Sequence, residues 1–110
     1  MTYRIRVVPA LTERLGEITT YIRDDLGLPK SASMLYDDLE AKFAVIEEFP
    51  RAYMVDKDAS RAIGEEIRGV SIRSFKLLYW IDDAEQTVLA FAILFRGEDP
   101  KALSKNTFLL

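Results

Sequence analysis

The chain has 110 residues, 49% of them hydrophobic and 30% charged, with a formal net charge of −3. That is the composition of one globular domain over 1–110 with a core of its own. Cysteine and histidine are both absent, which excludes a disulfide framework, a thiolate or imidazole zinc site, a cysteine nucleophile and a serine–histidine triad.

The acidic balance also argues against broad non-specific binding to nucleic acid. The acid is uneven: residues 1–50 hold 6 Lys and Arg against 9 Asp and Glu, and residues 51–110 hold 9 against 9. A local basic patch in the second half is compatible with that distribution.

Tyr3, Ile5 and Val7 alternate with Arg4 and Arg6, so the N-terminus reads as a strand rather than a signal peptide, with Pro9 stopping it. Leu11, Leu15, Ile18 and Ile22 then recur at helical spacing, with a start at Thr12-Glu13 and an end at Gly27. The link Leu28-Pro29 is short enough to return the next helix antiparallel. Ala32, Leu35, Leu39, Phe43, Ile46 and Phe49 give that helix one apolar face, and Pro50 ends it. Arg51 to Arg61 has broken periodicity and reads as a surface loop with room for a helical turn.

From Gly64 the pattern becomes strand-like, with strands at about Glu66–Ile72, Phe75–Asp82 and Thr87–Phe95. Ser71–Ser74 and Asp82–Glu85 supply the turns. The run VLAFAILF is almost wholly apolar, as expected of a central strand or one covered on both faces. The expected architecture is α+β, in the order β-α-α-β-β-β, with an N-terminal helical hairpin packed on a small, mostly antiparallel sheet. No apolar run approaches the roughly 18 residues of a membrane span, so a cytoplasmic location is expected.

No Gly-rich phosphate loop or dinucleotide fingerprint is present, and the carboxylate pairs Asp24-Asp25, Asp37-Asp38, Asp56/Asp58 and Asp82-Asp83 read as ordinary surface acids. Neither a cofactor nor a metal is expected. What remains is the stretch IRGVSIRSFKLLYWID. On its second strand Phe75, Leu77, Tyr79 and Ile81 share one face, and Lys76, Leu78, Trp80 and Asp82 the other. Lys76 beside Trp80 could hold a phosphate under a stacked base, or finish a solvated sheet face. Tyr21, Tyr36 and Tyr53 read as exposed. The closing Phe108-Leu109-Leu110 needs a surface to cover, by preference on its own domain and otherwise on a partner.

Taken in order, YRIRVVP, LTERLGEITTYIRDDLG, the link LP, a helix ending IEEFP, IRGVSIRSFKLLYWIDD and VLAFAILFRGEDPKAL resemble the RelE/ParE superfamily of type II toxin–antitoxin toxins. The resemblance implies a growth-inhibiting toxin with a cognate antitoxin as its first partner. RelE-like members cleave mRNA on the ribosome, and ParE-like members poison DNA gyrase by protein contact. In the RelE-like case the resemblance makes Arg68, Lys76 and Arg96, with Tyr79, the catalytic set, and puts Arg68 and Lys76 on a functional sheet face. Such chemistry needs a base for the ribose 2′-OH, cations for the phosphate and an acid for the leaving oxygen.

This chain departs from that pattern. Leu103 stands where RelE-like enzymes carry a terminal Tyr, and Lys76 replaces an Arg and its bidentate fork. The ParE-like reading, with gyrase as target, is therefore preferred. Ribosome-dependent mRNA cleavage by a degenerate set, or a non-toxic antitoxin-binding homologue, are the alternatives. An acidic toxin is further expected to meet a less acidic or locally basic partner segment.

Overall fold

The computed structural model describes residues 2–103. Strand β1 (Arg4–Val7) leads into helix α1 (Pro9–Thr20), which continues as a π turn (Tyr21–Asp25). Helix α2 (Pro29–Glu48) returns, a short helix α3 (Lys57–Ile63) follows, and strands β2 (Ile67–Ile72), β3 (Phe75–Asp82) and β4 (Thr87–Phe95) complete the sheet. A 3-10 turn covers Pro100–Ala102. Phe108-Leu109-Leu110 lies outside the described residues.

The sheet order is β1-β4-β3-β2. The strands β2, β3 and β4 form an antiparallel meander, while β1 runs parallel to β4. The continuous apolar run of β4 thus belongs to a central strand, and Val88 and Ala90–Leu94 are all buried. One register shift separates the pairs Leu78↔Ala92 and Tyr79↔Ala90. Phe91 is the extra β4 residue at this bulge, and it is buried.

The hairpin of α1 and α2 closes the core. Leu11, Leu15 and Ile18 of α1 and Leu35, Leu39 and Ile46 of α2 are buried in one cluster with Val70, Ile72, Leu77 and Tyr79 of the sheet. Burying that apolar stripe against the sheet, rather than helix propensity, is what holds such an amphipathic hairpin.

Three local readings of the sequence are corrected. Helix α1 starts at Pro9, not at Thr12-Glu13: proline fixes a helical φ, and its missing N–H costs nothing in a first turn, where no acceptor waits for it. The segment read as a loop contains α3, whose N-cap Asp56 accepts from the Ala59 N–H at 3.0 Å and whose C-cap Gly64 has φ 85°. Tyr53 is half-buried rather than exposed, with the Lys42 ammonium 5.5 Å from its ring centroid.

Candidate functional site

The strand register separates the sequence-derived candidates. In an antiparallel pair, directly opposed residues point to the same face. Arg68 opposes Tyr79, and Lys76 opposes Ser71. Arg68 and Tyr79 therefore lie on one face and Lys76 on the other, and the two cations do not share a sheet face.

Arg68 is held by Tyr53 and Glu66. Its guanidinium donates to the Tyr53 carbonyl at 2.6 Å and to Glu66 Oε1 at 3.1 Å. The Tyr79 side chain is wholly buried, and its hydroxyl donates to the Pro50 carbonyl at 2.8 Å, fastening β3 to the end of α2. Burial pushes the Tyr79 pKa up to about 12, although Arg68 acts against the rise. At neutral pH the phenol is a fixed donor to the backbone.

On the opposite face, Lys76 Nζ donates to Asp56 Oδ2 at 2.6 Å. Gly69 makes room for this: a Cβ there would meet Lys76 Cδ at 3.2 Å and Asp56 Oδ2 at 3.5 Å. Burial alone would raise the Asp56 pKa. Hydrogen bonds from the Lys76 ammonium and the Ala59 N–H outweigh it and hold the carboxylate below its usual range. The ion pair thus locks the start of α3 over the sheet. Arg96 is exposed just after β4, its N–H donating to the Ser74 carbonyl at 2.9 Å beside the β2–β3 turn. Leu103 is half-buried against the core.

A further concavity lies elsewhere and was not visible as a motif. A groove of about 680 Å³ runs between the end of α1, the π turn, the start of α2 and the β2–β3 turn. Ile18, Leu35 and Phe75 line it from the core, while Tyr21, Leu26, Leu28 and Phe95 at its mouth are 48–51% exposed. The π turn shapes it. The Leu26 N–H reaches back five residues to the Tyr21 carbonyl at 3.0 Å, and Gly27 with φ 65° then reverses the chain. At one end the Arg14 guanidinium lies 6.0 Å from the Phe95 ring centroid. Among the described residues its buried Nε has no hydrogen-bond partner, and its nearest carboxylate, Glu98, is 3.9 Å away.

No group of three or more metal-ligating side chains is found among the described residues. No described helix is long and apolar enough to cross a membrane.

A four-stranded mixed sheet carrying a helical hairpin, a third short helix and an open apolar groove defines an α+β class of small domain. No protein-family model and no curated protein matches the chain. Solved structures do. A mutant of the E. coli toxin RelE in the free state is similar with a TM-score of 0.54 and 15% identity, over 86% of this chain and 84% of that one. A chain of the toxin–antitoxin complex RelBE2 from Mycobacterium tuberculosis is similar with a TM-score of 0.56 and 16% identity, over 87% of this chain and 100% of that one. The fold is therefore RelE-like, as the order of the sequence elements led us to expect.

Proposed function

We propose that the chain is the toxin of a type II toxin–antitoxin pair, acting in the cytoplasm. In this reading it inhibits growth by contact with a protein target of the DNA gyrase type, and a cognate antitoxin neutralises it. The toxin reading is supported by the RelE-like fold together with the ordered motifs from YRIRVVP to FRGEDPKAL. One observation carries protein contact over RNA cleavage: Arg68, Lys76 and Tyr79 do not converge. Arg68 and Lys76 sit on opposite faces, each with a carboxylate partner, and Tyr79 is buried with its proton held. A ribonuclease needs its cations and its acid or base around one phosphate. Supercoiling of relaxed plasmid by gyrase, with the purified chain in micromolar excess, tests the target. Inhibition is expected, and undiminished supercoiling counts against gyrase.

A second reading, ribosome-dependent mRNA cleavage, is favoured by the placement of Lys76 and Arg96. Both lie at the β2–β3 turn end of the sheet, where Lys76 pairs with Leu94 and the Arg96 N–H binds Ser74. Primer extension on programmed ribosomes decides it: new mRNA ends would support cleavage, and their absence would remove it.

A further inference from the structure

We infer that the outer edge of β1 takes a strand from a partner protein, one in which acidic residues alternate with apolar ones. The acids meet Arg4 and Arg6, and the apolar residues lie beside Ile5 and Val7. Within the proposed function that strand belongs to the protein target. The inference rests on that reading for the partner's identity and adds the contacting edge and the chemistry it selects.

Strand β1 is one of the two edges of the sheet. The Arg4 N–H donates to the Gln86 carbonyl at 3.0 Å and the Val8 N–H to the Ala90 carbonyl at 3.1 Å, so these groups point toward β4. The backbone of Ile5 and Val7 therefore points the other way, and the parallel ladder with β4 leaves its N–H and C=O groups unused. Among the described residues the chain closes this edge at Tyr3, whose N–H donates to the Glu47 carbonyl at 2.9 Å. The opposite edge is already covered in part. There the Asp56 N–H donates to the Ile67 carbonyl at 2.8 Å and the Gly69 N–H to the Met54 carbonyl at 3.1 Å.

The side chains of β1 carry the charge argument. Ile5 and Val7 are half-buried and pack against the core, while Arg4 and Arg6 are exposed on the other face. Six other arginines each have a carboxylate partner. Arg4 and Arg6 have none among the described residues, and their neighbours on β4 are Thr87 and Leu89.

An antiparallel strand added here would exchange hydrogen bonds with Ile5 and Val7. Arg4 and Arg6 would then occupy the close, non-bonded positions, where opposed side chains interact most strongly. A second copy of the chain is turned away, because pairing Ile5 with the Ile5 or the Val7 of another β1 opposes arginine to arginine. A phosphodiester would meet the arginines but not the alternating backbone donors and acceptors between them, which match a peptide strand. Carboxylates opposite Arg4 and Arg6 form charge-assisted hydrogen bonds, and the same two cations reject a basic strand.

The probe is a short capped peptide in which glutamate alternates with valine, titrated into the full chain and followed by NMR. The Ile5 and Val7 amides are expected to shift, and their hydrogen exchange to slow at least tenfold at saturation. The Arg4 and Val8 amides, already bonded to β4, are expected to keep their rates. A lysine–valine peptide is expected not to bind, and neither is the glutamate–valine peptide with its chain-facing amides N-methylated. The double variant Arg4→Glu, Arg6→Glu is expected to lose at least tenfold in affinity for the acidic peptide and to bind the lysine–valine peptide instead. Thermal melting confirms its fold, and Arg4→Gln, Arg6→Gln replaces it if it does not fold. Failure of the acidic peptide to bind the wild-type chain would overturn the inference. Equal binding of the N-methylated peptide would overturn strand addition, and equal binding of the lysine–valine peptide would overturn the charge selection. A single-stranded oligonucleotide that shifts Arg4 and Arg6, while the peptide leaves Ile5 and Val7 unmoved, would assign the arginines to phosphate and overturn it too. Each of these failures leaves the toxin reading standing, because the gyrase assay tests that reading separately.

Discussion

Replacing Tyr79 by phenylalanine removes one oxygen from a side chain with no exposed surface. The ring stays and the packing with it, so what is lost is the 2.8 Å bond to the Pro50 carbonyl. A neutral hydrogen bond contributes about 0.5–1.5 kcal/mol net, and a stranded buried carbonyl adds its own desolvation cost, so Tyr79→Phe is expected to destabilise by about 1–2 kcal/mol. In a domain of this size each kcal/mol shifts Tm by about 4–8 °C. Urea titration and thermal melting read both quantities.

The pH dependence gives a sharper check. Burial raises the Tyr79 pKa to about 12 in the folded chain, whereas an unfolded tyrosine ionises near ~10. The stability tied to the protonated phenol is complete below pH ~10 and is lost as the pH rises toward about 12, because only the unfolded chain releases the proton there. The loss approaches about 1.4 kcal/mol per pH unit. Phenylalanine has no proton to release, so the wild-type advantage over Tyr79→Phe should narrow across that window. An unchanged Tm, or a gap that does not narrow, would refute the structural role of the hydroxyl.

Asp56→Ala removes both the N-cap of α3 and the partner of Lys76, and is expected to cost about 1–2 kcal/mol. Amide hydrogen exchange should quicken first across Lys57–Ile63. Because the Asp56 carboxylate is held below its usual range, its contribution is present above pH ~4 and fades as the pH falls through its folded value. Acid titration of stability for the wild type and for Lys76→Met measures the difference, which should shrink with falling pH. Asp83 is held low by Arg51 at 2.7 Å and by the Tyr3 hydroxyl at 2.7 Å. Arg51→Ala should let its pKa rise in an NMR titration, with Tm little changed because the pair is exposed.

Much of the fold was legible because strong periodicities coincide with burial. The stripe Leu35, Leu39, Ile46 and the run VLAFAILF point to a buried helix face and a central strand, and both are found in those places. Helix α3 was hidden because seven residues give too few turns for a stripe to register. Its caps were there to be read: Asp56 three residues before Ala59, and Gly64 after Ile63. The start of α1 was misplaced because Pro9 can end a strand or open a helix, and here one residue separates the two.

The candidate site was harder. Alternation along a single strand correctly grouped Lys76 with Trp80. The relation of Arg68 to Lys76 depends on strand register, and a shift of one residue would reverse it. The groove draws Arg14, Leu26, Leu35 and Phe95 from distant parts of the chain, and its shape depends on a π turn that no composition announces.

Growth after induced expression tests the central claim most directly, comparing the wild-type chain with a Lys76→Ala, Arg96→Ala double variant while mRNA ends are mapped. Both proteins should arrest growth without new mRNA ends, and co-expression of a cognate antitoxin should restore growth. Continued growth with the wild-type chain, or an arrest that produces new mRNA ends and disappears in the double variant, would contradict a toxin that acts by protein contact.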